Sequence, residues 1–245
     1  MPTLRTLSLT TALCTGLGTI APAATIDYRA ILSDLNGFGA SGKVNLRLDD
    51  VANTLSVRVR ASGLDPDVPH VQHIHGVKNA DGSNGNSVTP TAAQDSDGDG
   101  FIELLEGAAT YGPIILSLTD DTVPGLGGFP TAPNGRIDSS YTYDLLTTPA
   151  YSGSFDINDL LDLADREIVI HGAFTNFQLE DNIGNGLGGG IVDDGNGNPI
   201  AAPRNYNAGL PVLAGEISVV PLPAAGWLLI AGLGGLGALR RFRKA

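Results

Sequence analysis

The chain has 245 residues, 42% hydrophobic and 6% aromatic, with 14 Lys and Arg against 26 Asp and Glu, a formal net charge of −12. That acidity disfavours binding to nucleic acid and anionic lipid surfaces, and a lone cysteine excludes a disulfide framework. The 33 Gly and 15 Pro favour turns and short strands over long helices.

In chain order, Arg5 precedes a short apolar run from Leu7 to Ile20, and Ala21-Pro22-Ala23 follows. A basic start, an apolar middle and an A-x-A end make a secretory signal peptide over 1–23, with cleavage after Ala23. Cys14 lies in that run, so thiol chemistry is excluded from the mature chain. Next come a strand over 25–33, turn chemistry at Asn36-Gly37-Phe38-Gly39, and two alternating strands over 42–49 and 54–60, joined as a hairpin. Gly63-Leu64-Asp65-Pro66-Asp67 turns into a strand carrying His70, His73 and His75. The polar stretch 78–100 is a long loop, and loops of that length are usually functional or pinned. Residues 103–109 look helical. Strands are expected over 113–119, 136–144, 167–171 and 210–219, with a short helix or turn over 158–164 and a Gly/Asn/Asp loop over 182–207. About eight short strands separated by turns indicate one all-β domain over 24–219, a sandwich or barrel.

The last segment is different. Val220, Pro221, Leu222, Pro223 and Ala224 precede an apolar helix over 225–239 and the basic tail Arg240-Arg241-Phe242-Arg243-Lys244. Such a helix reaches about 24 Å, slightly less than a bilayer core. Residues 220–245 resemble the bacterial VPLPA-type C-terminal sorting signals, relatives of the PEP-type signals handled by exosortase systems. The resemblance implies export, a sorting enzyme and secretion machinery as partners, and delivery to the cell surface or extracellular matrix. The two ends carry five of the 14 basic residues and none of the acids, so the core has nine against 26 and a net charge of −17.

Two sites stand out in the core. Asp95-Ser96-Asp97-Gly98-Asp99-Gly100-Phe101 leads on to Glu106. Over 95–106, Asp95, Asp97 and Asp99 fill the first three places of a twelve-residue calcium loop, and Gly100 allows its sharp turn. Phe101 offers a carbonyl, and Glu106 closes the shell with both oxygens. Oxygen-only donors suit Ca²⁺, and this loop resembles that of an EF-hand. The second site is made of imidazoles. His73 and His75 are two apart in a strand and share a face. His171 ends another apolar run and meets them if the two strands are neighbours. Three imidazoles can bind Cu or Zn.

Gly63-Leu64 with His70-Val71-Gln72-His73-Ile74-His75 resembles the copper-strand motif of Cu/Zn superoxide dismutases. Arg166-Glu167-Ile168-Val169-Ile170-His171 resembles their late copper-ligand strand, and Asn207-Ala208-Gly209 with Leu213-Ala214-Gly215-Glu216-Ile217 their last loop and strand. The same segments are similar to the CHRD domain. The resemblance implies an eight-stranded Greek-key sandwich or barrel with long loops, here followed by a single C-terminal hydrophobic helix. It makes His73, His75 and His171 metal ligands and His70 a structural histidine. Departures accompany the match. No histidine remains for a bridging or zinc position, Pro211 stands where the dismutases have a guiding arginine, and Ala214 stands at a disulfide cysteine position. Two functions follow. One is an exported, surface-held CHRD-like module, calcium-stabilised and non-catalytic, that meets a matrix or surface polymer. The other is a mononuclear copper protein with dismutase-like chemistry.

Overall fold

The computed structural model describes residues 25–175, 191–193, 199–201 and 206–221. The signal peptide expected over 1–23 and the apolar helix and tail expected over 225–245 lie outside them. Among the described residues no helix is long and apolar enough to cross a membrane.

Eight strands form one curled antiparallel sheet. They are β1 (Thr25–Asp34), β2 (Ser41–Asp49), β3 (Thr54–Ser62), β4 (Gln72–His75), β5 (Ile114–Ser117), β6 (Arg136–Asp144), β7 (Glu167–Phe174) and, after the short pair β8 (Ile191–Asp193) and β9 (Pro199–Ala201), β10 (Tyr206–Val219). Their order across the sheet is β5-β4-β7-β10-β1-β2-β3-β6. The chain therefore runs sequentially from β1 to β3, crosses to the far side for β4 and β5, and returns to β3 with β6. The all-β class expected from turn spacing is the one observed. The hairpin β8–β9 falls inside the stretch read as an irregular loop, because its strands are only three residues long.

Alternation explains the core. Val44, Leu46 and Leu48 of β2 and Leu55, Val57 and Val59 of β3 point inward at every second residue. Their interleaved polar residues face solvent. Strands β4 and β7 differ, being buried on both faces. Ile74, Ile168 and Ile170 enter the main core. The opposite face is covered by the segment between β4 and β5, which contains α1 (Leu104–Tyr111). Tyr111 and Ala108 of α1 pack there with Val169, Ala214 and Leu35.

The sheet edges β5 and β6 approach without a ladder between them. The Tyr143 hydroxyl donates to the Thr119 carbonyl and accepts from the Thr119 amide, both at 2.9 Å. One side chain thus makes the pair of bonds a neighbouring strand would supply. Arg166, fully buried ahead of β7, spends its guanidinium on the carbonyls of Asp159, Gly85 and Leu161 at 3.0–3.1 Å. It ties the post-β4 loop to the turn before β7.

Candidate metal centres

Strand pairing places the histidines. β4 and β7 are antiparallel neighbours, with His73 opposite Val169 and His75 opposite Glu167. His171 lies two residues beyond Val169 on the same face, so one surface of two strands carries three imidazoles. Their ring centroids are 5.4, 5.5 and 5.8 Å apart, and one nitrogen from each lies within 4.8 Å of the others.

The hydrogen bonds select those nitrogens. His75 Nδ1 faces the Gly112 carbonyl at 2.9 Å, and His171 Nδ1 faces the Gly209 carbonyl at 2.8 Å. A carbonyl only accepts, so each Nδ1 carries the proton and each Nε2 keeps its lone pair. The Nε2 atoms of His75 and His171 and the Nδ1 of His73 are buried with no hydrogen-bond partner. Three unpartnered buried nitrogens in one pocket are costly by themselves. A cation among them removes that cost, so these residues fit a metal ion. Burial drives the pKa of His75 down to about 3 and that of His171 to about 4, and holds His73 well below the usual imidazole value. All three rings are neutral at neutral pH, the state a metal ligand needs.

The carbonyls are themselves held. Gly112 caps the C-terminus of α1 with φ +81°, and a Cβ there would lie 2.4 Å from the Gly76 carbonyl oxygen. Only glycine fits. At the other carbonyl, the Asn207 side chain accepts from the amides of Gly209 and Leu210 at 2.9 and 3.1 Å. It shapes a bulged stretch of β10 where the register to β7 shifts twice. Pro211 pairs with His171 in that stretch. Tyr111 packs its ring on His75 at 4.6 Å, and Phe129 on His73 at 5.7 Å. Exposures of 6% for His73 and 2% for the other two make the pocket nearly closed.

His70 stands outside this cluster. Its Nδ1 faces the His171 carbonyl at 3.2 Å and its Nε2 the Asp65 carbonyl at 2.9 Å. It braces the turn before β4 against β7. Burial lowers its pKa despite both carbonyls.

The acidic loop precedes α1. Asp95, Asp97 and Asp99 bring one oxygen each within 4.8 Å of one another. Asp95 accepts from the amides of Gly98 and Gly100, Asp97 from that of Asp99, and Asp99 from that of Phe101, at 2.8–3.0 Å. Gly98 and Gly100 have φ +80° and +91°. Partial burial and the charges of Asp97, Asp95 and Glu106 push the Asp99 carboxyl up, against its bond from Phe101. Glu106 accepts from Ser96 and from the Glu103 amide, the latter capping α1. Burial pushes its carboxyl up, but those bonds outweigh it and hold the pKa below the usual value. At its far end the loop is stitched down by Asn36, which accepts from the Ile102 amide and donates to the carbonyls of Ile102 and Pro211.

Several supporting residues went unread in the sequence. Tyr111, Phe129 and Gly112 touch the pocket from the long loops, where no periodicity announces a partner. Asn207 and Gly209 belong to the stretch Asn207-Ala208-Gly209, yet their roles emerge only from the bulge. The chain matches no protein-family model and no curated protein.

Proposed function

We propose that this chain is an exported, surface-held β module that carries one transition-metal ion, Cu or Zn, on His73, His75 and His171. The observation that carries the reading is the set of three neutral imidazoles whose unpartnered nitrogens converge in one buried pocket. The strand order supports a Greek-key sandwich similar to Cu/Zn superoxide dismutases and to CHRD domains. Ca²⁺ on Asp95, Asp97, Asp99, the Phe101 carbonyl and Glu106 pins the loop leading to α1. The VPLPA-type segment 220–245 hands the chain to an exosortase-type enzyme for delivery to the surface or matrix.

The module is non-catalytic in this reading. Tyr111 and Phe129 pack against the rings of His75 and His73, which are 2% and 6% exposed. A bound ion supplies Lewis acidity or, as copper, a redox couple. The protein holds the imidazoles neutral, fixes two tautomers through backbone carbonyls and buries all three rings.

Metal analysis of the full chain, purified from its native surface without added metal, tests the centre. One equivalent of Cu or Zn per chain, lost in His73→Ala and His171→Ala, is expected. Bound metal indifferent to both substitutions would overturn it. Calorimetry with Ca²⁺ on the intact chain and on Asp97→Ala tests the loop, and no heat from the intact chain refutes it. The second reading, superoxide chemistry at copper, draws on His73, the least covered ring at 6% exposure. Superoxide turnover by the copper-loaded chain, abolished in His73→Ala, would favour that reading over the first.

A further inference from the structure

The cations of this acidic protein are segregated. The described residues include eight Lys and Arg. Arg166 is buried, and Lys78 pairs with Asp159. The other six, Arg29, Lys43, Arg47, Arg58, Arg60 and Arg136, all lie on the solvent face of β1, β2, β3 and β6.

Register makes them a patch. Lys43 is opposite Arg60, and Asn45 lies between Arg58 and Arg29 in the adjacent row. Like charges directly opposite are unfavourable in a sheet; Arg60 has Asp138 opposite it on β6, whereas Lys43 has Ile31 opposite it on β1. Asp138 takes a bidentate bond from Arg58 at 2.9 Å and lies 3.5 Å from Arg60. Asp27 does the same for Arg47 at 2.8 and 3.2 Å. The acids Asp49 and Asp144 sit at the far end of the face, opposite Thr54. The end carrying Lys43, Arg60 and Arg136 therefore keeps a net positive charge, although the whole chain is at −12.

Between the rows lies a depression of about 510 Å³, whose lining includes Arg47, Arg58, Asn45, Ser56, Ser140 and Thr142, with the Arg47 partner Asp27 and Tyr141 also on its wall. Each of the two guanidiniums uses Nε and Nη2 on its aspartate, which orders it and leaves Nη1 with no partner among the described residues. Ordered guanidiniums match planar carboxylates. Hydroxyls and an amide beside them match sugar hydroxyls. Tyr143 is buried, and Tyr141, half-buried at the edge of the depression, turns its hydroxyl inward to accept from the Gln72 side-chain amide, so this face is not built as a row of exposed rings for stacking bases.

We infer that the outer face of β1-β2-β3-β6 binds a carboxylated polysaccharide, a uronate-type polymer, laid across Lys43, Arg58 and Arg60. The inference stands independently of the histidine centre. It gives the surface-polymer contact a place and a chemistry. At physiological salt, charges beyond about 8 Å are screened, so the patch acts locally while the remaining acids face elsewhere.

The test is retention of the full chain on immobilised polygalacturonate, dextran sulfate and neutral dextran in calcium-free buffer. Net charge alone predicts no retention of so acidic a protein on a polyanion. The expected result is salt-sensitive binding to polygalacturonate, none to neutral dextran, and about tenfold weakening in Lys43→Ser/Arg60→Ser. Arg58→Lys keeps the charge, loses the fork and is expected to bind several-fold more weakly. Both variants alter exposed side chains, and an unchanged melting temperature confirms their folding. Absence of binding to polygalacturonate, or binding equal in the double variant, would overturn the inference. Stronger retention on dextran sulfate at matched charge density would overturn the carboxylate assignment. A self-associated species that disappears in Lys43→Ser/Arg60→Ser would assign the face to a second copy of the chain instead.

Discussion

Asn207 never joins the histidine cluster, yet its side chain positions the carbonyl that sets the His171 tautomer. Asn207→Ala leaves two amides unpaired and frees the bulge. The expected cost is about 1–3 kcal/mol in stability and about 10- to 100-fold in metal affinity, read by denaturant titration and by competition with a chelator. Protonation gives a second prediction. His75 and His171 fall from 6.5 to about 3 and about 4 on folding, so the unfolded chain takes up protons first as pH falls. Their contribution is complete above pH 6.5 and is lost as pH falls from there towards the folded values. Glu167 works the other way. Burial raises its carboxyl from 4.5 to about 7, so its contribution is complete below pH 4.5 and lost as pH rises through 7. Thermal melts of metal-free protein are expected to show both slopes, and Glu167→Gln to raise the midpoint above pH 7 while leaving it unchanged below pH 4.5.

At the scale of elements, α1 joins the two candidate centres. Its N-terminus is capped by Glu106 of the acidic loop, and its C-cap Gly112 offers the carbonyl that His75 faces. Gly112→Ala forces a Cβ against the Gly76 carbonyl in a left-handed conformation. A loss of roughly 3 kcal/mol is expected, with weaker metal binding as the accompanying readout. Strands with one wet face were legible from alternation alone: β2, β3 and β6 match their expected spans to within two residues. Strand β10 begins at Tyr206, four residues before the expected start, because Asn207, Gly209 and Pro211 look like loop residues and are accommodated by bulges. The pairing of His73 and His75 followed from period two. Their meeting with His171 needed the β4–β7 neighbourhood, which no local pattern encodes.

At the scale of the whole molecule, the curled sheet keeps its edges together through side chains. Tyr143→Phe removes both hydroxyl bonds to Thr119 and leaves its buried amide and carbonyl unpaired. An expected loss of about 1–3 kcal/mol, seen in the denaturant midpoint, would be accompanied by faster amide exchange at Thr119. Charge segregation is also a whole-molecule property. Every basic position was visible in the sequence, but the common face of four strands appears only once their registers are fixed.

The burial of the three imidazoles has a consequence in time. An ion held by His73, His75 and His171 cannot leave past rings that are 2–6% exposed unless the covering segment lifts. Exchange with a chelator is then paced by that opening, not by the strength of the metal bonds. Its rate is expected to level off as chelator concentration rises, and to climb in Gly112→Ala. Loading would be fastest while the chain is still folding, so the metal present when the chain first folds is the one it keeps.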